Sequence, residues 1–150
     1  MNLKLTKPIV FFDLETTGLQ IATARIVEIA ILKIFPNGNK ESKSWLVNPT
    51  IPIPTETTAI HGISNEKVAN EPTFNQLAPE ISEMIHNCDL AGYNSNKFDI
   101  PILAEEFLRS EINFDTTNRK TIDVQNIFHK LEQRTLVAAY QFYCKKDLKN

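Results

Sequence analysis

An α/β sandwich built on a mixed sheet is the fold class this sequence predicts, and three observations predict it. The stretch Pro8-Ile-Val-Phe-Phe-Asp-Leu-Glu15 is apolar on both alternations before its acids, as a central strand covered on both faces must be. Asn37-Gly38, the strongest short hairpin signal in the chain, joins two runs that read as β. Beyond Pro49 the pattern changes to helical segments alternating with short strands.

In chain order, the first strand covers Pro8 to Glu15. The second, rich in Ile, Val and Leu, runs from about Arg25 to Phe35, and the third returns through Ser42 to Val47, giving an antiparallel meander. After Pro49, Pro52 and Pro54 a helix is expected at Thr55 to Ile60, and Ser64-Asn-Glu-Lys67 offers cap chemistry for a second short helix. Phe74, Leu77, Ile81, Met84 and Ile85 form one apolar face between Thr73 and Ile85. Asp89 to Tyr93 reads as a fourth strand. Phe98 to Leu108 reads as a helix whose Pro101 is tolerated only in the first turn. Thr121 to Val124 is a candidate fifth strand, and helices at Val124 to Leu131 and Thr135 to Lys145 complete the order.

Composition fits one soluble domain. The chain has 150 residues, 42% of them hydrophobic and 23% charged, enough for a core without staples. A net charge of −2 argues against a passive, high-affinity duplex binder, so any attraction to nucleic acid must be local. Bound divalent cations at an acidic cluster would supply it. Cys88 and Cys144 stand far apart and read as small buried hydrophobes. With no signal-like N-terminus and no membrane-spanning apolar run, a cytoplasmic location with no membrane partner is expected.

Asp13 and Glu15 are two apart on a strand, so both carboxylates project from the same side, at the strand end where ligands bind in open α/β sheets. Two acids there repel one another and resist desolvation, which raises at least one pKa unless a cation intervenes. Oxygen-only ligation points to Mg²⁺ or Mn²⁺ rather than zinc. Taken alone, Asp-x-Glu is equally a solvated strand end, and Asp99 alone is equally an acid favoured by a helix dipole.

The surrounding residues go further. Phe11-Phe12-Asp13-Leu14-Glu15-Thr16-Thr17-Gly18-Leu19 resembles the first motif of the DnaQ-like, or DEDD, exonuclease superfamily, which includes the proofreading subunit of bacterial replicative polymerase. Tyr93-Asn94-Ser95-Asn96-Lys97-Phe98-Asp99 is similar to its second motif, and Ala59-Ile60-His61-Gly62-Ile63-Ser64 to the segment that lines the nucleotide pocket in relatives. The resemblance implies a ribonuclease H-like three-layer sandwich with a five-stranded mixed sheet. It implies that Asp13, Glu15 and Asp99 are catalytic metal ligands for two Mg²⁺ or Mn²⁺ ions, and that terminal phosphodiesters are hydrolysed to nucleoside monophosphates. Thr16, Gly18 and Leu19 would contact the terminal nucleotide, His61 and Ile63 would lie across the pocket, and Asn94 and Phe98 would support it. Single-stranded DNA or RNA 3′ ends are the implied substrate, and a DNA polymerase is a further partner the resemblance allows.

The sequence departs from the superfamily at its end. The DEDDh subgroup closes its site with H-x4-D, but His129 is followed at that spacing by Arg134. Tyr143-Cys-Lys-Lys-Asp147 matches the Y-x3-D of the other subgroup. Our expectation is a single exonuclease domain that stops before its third motif and last helix, with Tyr143 and Asp147 as the alternative motif. A non-cleaving module that binds nucleic-acid ends or a polymerase is the competing reading. An aspartyl-phosphate phosphatase is disfavoured because Glu15 stands where a second aspartate is wanted. Asp123 reads as structural, Trp45, Phe11, Phe12, Phe107 and Phe128 as core, and His129 as solvated. Glu28 is either a strand-face partner or a support to the acids.

Overall fold

A computed structural model describes residues 6–92, 95–115 and 119–123. Five strands, β1 (Ile9–Thr16), β2 (Ile26–Ile34), β3 (Lys40–Leu46), β4 (Asp89–Gly92) and β5 (Thr121–Asp123), make one sheet in the order β3-β2-β1-β4-β5. The first three strands are antiparallel neighbours, whereas β4 lies parallel to β1 and β5 parallel to β4. The sheet is therefore mixed, with β1 at its centre. Expected strand limits hold within two residues.

The turn between β2 and β3 shows why Asn37-Gly38 is there. Gly38 adopts φ 91° and its N–H bonds the Phe35 carbonyl at 2.9 Å, while Asn37 accepts the Asn39 N–H at 2.9 Å. Only glycine takes that backbone without strain, and the asparagine side chain completes the turn.

The helices are α1 (Thr55–His61), α2 (Asn65–Val68), α3 (Phe74–Ile85) and α4 (Ile100–Arg109), the last preceded by a π-helical turn, Ser95–Asp99. Ser64 caps α2, accepting from Lys67, and Thr73 with Gln76 makes a reciprocal capping box on α3. Pro101 sits in the first turn of α4, where its missing N–H costs nothing. The helices expected after Val124 lie outside the described residues, as do Cys144, Phe128 and His129.

Alternation along β1 divides the molecule. Val10, Phe12 and Leu14 enter the main core with Phe74, Leu77 and Ile81 of α3 and Ile102, Leu103 and Phe107 of α4. Phe107 meets Phe74 edge-on at 5.2 Å. A smaller cluster joins Val27 of β2 and Val68 of α2 to Ile53 and Ile63, which flank α1. Phe11, buried completely, and Cys88 are core as expected, while Trp45 is partly buried against the main core beneath Lys43.

One buried polar arrangement has no counterpart in the hydrophobic pattern. Glu106, 4% exposed, accepts the Ile26 N–H at 2.8 Å and pairs with Arg109 at 3.2 Å, and Arg109 also donates to the Ala24 carbonyl. It ties the end of α4 to the start of β2. Glu106→Ala should cost about 3 kcal/mol, because it orphans a buried N–H and leaves a part-buried guanidinium without its charge partner. Thermal unfolding monitored by circular dichroism checks this, and an unchanged midpoint would show that the pair adds nothing.

Candidate active site

Asp13 and Glu15, at the carboxyl end of β1, share an electrostatic field with Asp99. Strand alternation sends Asp13 and Glu15 to the side opposite the α3 and α4 core, and Glu15 stands directly across from Glu28 on β2. The register shifts between Glu15 and Thr16, so the strand breaks its ladder just past the acids. Asp99 arrives from far along the chain, at the junction of the π-helical turn and α4. It is 5% exposed, and its side chain makes no capping hydrogen bond to α4. Asp99 is nonetheless the N-cap residue of α4, so the helix dipole also acts on it.

Burial and like charge raise every one of these carboxylates. Asp99 is pushed up to about 8, first by burial and then by Asp13, Glu15 and Asp123. Glu15 is raised by burial and by Asp13 and Glu28, against a lowering contribution from His61. Asp13 keeps one side open to solvent, yet the protein around its carboxylate displaces enough water to raise it. A bond from the Leu14 N–H opposes that rise and Glu28 adds to it. Asp123, expected to be structural, and Glu28, left undecided, thus both belong to the field of the cluster. Neither carries a sequence signal, because sheet pairing alone brings them here, Glu28 opposite Glu15 and Asp123 opposite Gly92.

The donor set is entirely oxygen, which suits a hard cation such as Mg²⁺ or Mn²⁺. Among the described residues no three of these side chains stand close enough together to hold an ion as placed. The fit therefore rests on donor chemistry and on a shared repulsion that a divalent cation would offset.

Beside the acids lies a cavity of about 490 Å³ lined by Glu15, Thr16, Gly18, Leu19, Ile60, His61 and Phe98 among others. Leu19 and Ile60 are 84% and 85% exposed, a pair of uncovered apolar side chains on one cavity. The loop after β1 is fixed by its own threonines. Thr16 donates to the Gly18 carbonyl at 2.7 Å, and Thr17 exchanges bonds with Arg25, its N–H to the Arg25 carbonyl and its hydroxyl accepting the Arg25 N–H. A Cβ on Gly18 would meet no protein atom within 4 Å, so packing does not demand glycine there. His61 spans the two sides of the cavity, its Nε2 3.0 Å from the Thr16 carbonyl and its Nδ1 accepting the Ile63 N–H at 3.1 Å. These bonds select the tautomer with the proton on Nε2. Gly62, at φ 79°, ends α1 and lets the chain reverse between them.

One expectation needs correction. Ile63, expected across the pocket, is 2% exposed and packs in the smaller core with Val27, Ile53 and Val68. The left-handed turn at Gly62 directs its side chain inward, so that only its backbone serves the site, through His61. Asn94, Tyr143 and Asp147 lie outside the described residues.

Comparison with known proteins identifies the family and the fold. A family model described as Exonuclease, of the RNase T type, matches residues 10–149. A PolC-type DNA polymerase III from Caldanaerobacter subterraneus is 27% identical over 135 residues, 89% of this chain but 10% of the relative. A DNA polymerase III subunit epsilon-like protein from Rhodobacter capsulatus is 36% identical over 117 residues, covering 75% of this chain and 16% of its own length. The chain thus spans a small part of these relatives. Among solved structures, E. coli exonuclease I in complex with an oligonucleotide superposes with a TM-score of 0.72 at 18% identity, covering 82% of this chain and 29% of the other, which establishes the shared fold.

The raised carboxylates set a pH dependence. Their folded pKa values exceed the unfolded ones, so the stability they contribute is complete below the unfolded values near 4 and is lost as pH rises through the folded ones, up to about 8 for Asp99. In chelator, the melting temperature should rise by several degrees from pH 8 to pH 5, and Asp99→Asn should flatten that rise. Added Mg²⁺ should restore stability at pH 8. A melting temperature that climbs with pH in the metal-free protein would contradict the shared field.

Proposed function

The chain belongs to the RNase T exonuclease family, and from that premise we propose that it acts as a divalent-metal-dependent 3′→5′ exonuclease on single-stranded DNA or RNA, releasing nucleoside monophosphates. One observation carries the reading. Carboxylates from distant segments, Asp13, Glu15 and Asp99, share one field beside a nucleotide-sized cavity with an exposed apolar pair.

In this reading Asp13, Glu15 and Asp99 hold the metal, and Asp123 and Glu28 deepen the negative potential that attracts it. Bound divalent ions supply activated water and stabilise the departing 3′ oxygen. The protein's own work is placement. Leu19 and Ile60 offer apolar faces for the terminal base, and the space at Gly18 lets the sugar-phosphate approach the backbone. His61, with both ring nitrogens committed, locks α1 to the loop and fixes the pocket width. A single strand enters such a pocket directly, whereas a paired end must first melt. Hydrolysis adds water to the terminal phosphorus and breaks its bond to the 3′ oxygen, leaving a new 3′ hydroxyl. A cytoplasmic nucleic-acid end, alone or presented by a DNA polymerase, is the natural substrate.

A second reading, an exonuclease-like module that binds ends without cutting, is permitted by the lack of an H-x4-D pair within these 150 residues. It would retain the pocket and lose turnover. We also propose that residues 1–150 belong to a single exonuclease domain, with Tyr143 and Asp147 kept as the alternative to a third motif that these residues do not contain.

Release of nucleotides from 3′-labelled single strands in Mg²⁺ and Mn²⁺ separates these readings. The expected result is digestion of a linear strand and none of a circle. Asp13→Ala and Asp99→Asn should each lower the rate by at least about 10³-fold without loss of fold, since a lost ligand costs more than a lost general base. Equal digestion of circular and linear strands, or wild-type rates in either variant, would sink the exonuclease.

A further inference from the structure

A second cavity, about 410 Å³, opens beside the loop that walls the first, and the exonuclease chemistry leaves it unused. Its lining draws on Arg25, Thr50, Thr73, Asn75, Glu106 and Arg109. We infer that this cavity is a second subsite that takes an internucleotide phosphate of the strand whose 3′ end lies at the carboxylates. The inference rests on the nucleic-acid reading above and extends it to the strand's path.

Charge comes first. Arg109 is largely neutralised by Glu106 at 3.2 Å, with Glu105 at 3.9 Å, but its Nε is buried with no hydrogen-bond partner among the described residues. Arg25 makes no ion pair among those residues. Its guanidinium instead donates to the Thr50 hydroxyl at 3.2 Å. The lining therefore keeps a net positive charge in a protein that is acidic overall, and a guanidinium matches phosphate geometry better than an ammonium does.

Position comes next. Thr50 holds a left-handed backbone, φ 63°, unusual for a β-branched residue, and is secured by the Asn48 side chain and by its own bond to the Pro49 carbonyl. The strain fixes the hydroxyl that steers Arg25. Thr73 and Asn75 bring the N-terminal turn of α3, twelve residues long, whose dipole end favours an anion.

Distance completes the case. Thr17 on the nucleotide-pocket wall is backbone-paired with Arg25 on this one, so the two cavities share a partition. α4 leaves Asp99 at the acids and ends at Arg109 here. Its ten residues span roughly 15 Å at 1.5 Å per residue, a reach of a few nucleotides. Acidic peptide could answer the same charge, but continuity with the strand-end pocket favours the strand.

Fluorescence anisotropy with a 5′-labelled oligothymidylate, in Ca²⁺ to slow turnover, tests this at several salt concentrations. Arg25→Gln should weaken binding about tenfold and reduce the slope of log K against log salt by about 0.7, the value for one phosphate on a single strand. Asn75→Asp should weaken binding too, while the melting temperature holds or rises because an acid suits the first turn of a helix. That combination is not what a purely structural role gives. An unchanged salt slope in Arg25→Gln, or full affinity in Asn75→Asp, would remove the subsite and leave the exonuclease reading standing. A wild type that binds no single strand would overturn both. Tighter binding of a glutamate-rich peptide than of the oligonucleotide, lost in Arg25→Gln, would reassign the cavity to a protein partner.

Discussion

Mutual repulsion at the end of β1 is the constraint around which this molecule is built. A strand whose Ile9, Val10, Phe11 and Phe12 are all buried ends in Asp13 and Glu15, and two further carboxylates, Glu28 and Asp99, are brought against them by pairing and by a helix start. Like charges confined in a partly dry site are unfavourable, so the surrounding apolar structure must hold them there. The central position of β1 does this. Burial of Ile9 to Phe12, pairing with β2 along its length and pairing with β4 over Ile9 to Phe11 hold the strand in place, and a divalent cation would offset the repulsion at its end. Stability and chemistry thus draw on the same strand in opposite directions.

Much of this was legible in the sequence, because the relevant signals are local. The doubly apolar run of β1, the Asn37-Gly38 turn, the Ser64 cap and the stripe of α3 each act within a few residues, and each element lies where its pattern places it. Asp13, Glu15 and Asp99 are singled out by contiguous motifs, and the carboxyls of Asp13 and Glu15 both act on that of Asp99. What escaped depends on through-space placement. Glu28 is an ordinary strand residue until register sets it opposite Glu15, and Asp123 an ordinary strand end until β5 pairs with β4. Glu106 looks like a polar helix residue, and only the approach of α4 to β2 turns it into a buried partner for the Ile26 N–H. Ile63 was misplaced for a related reason. The left-handed turn at Gly62 swings its side chain into the smaller core, a direction no linear pattern encodes.

The partition between Thr17 and Arg25 shows how economically the fold handles two neighbouring surfaces. The Thr17 N–H donates to the Arg25 carbonyl, the Arg25 N–H to the Thr17 hydroxyl, and the Thr57 hydroxyl to the Thr17 carbonyl at 3.3 Å, so the wall is held from the approach to β2 on one side and from α1 on the other. Each cavity is then shaped by the same few atoms, main chain and short threonine hydroxyls, so a displacement felt on one side reaches the other.

The placement of β4 beside β1 also governs how the chain is made. β1, β2 and β3 are consecutive and pair through short connections, so the meander closes early, as the first third of the chain becomes available. The other edge of β1, Ile9 to Phe11, must wait for Asp89 to Ala91, which follow only after three helices have been synthesised. During that interval the most apolar strand of the molecule presents an unpaired edge, the kind that neighbouring chains add to. On the opposite margin, β3 carries Lys40, Glu41 and Lys43, charges that discourage such addition permanently. Vulnerability to misassembly is therefore concentrated in time, in the delay between the first strand and the fourth.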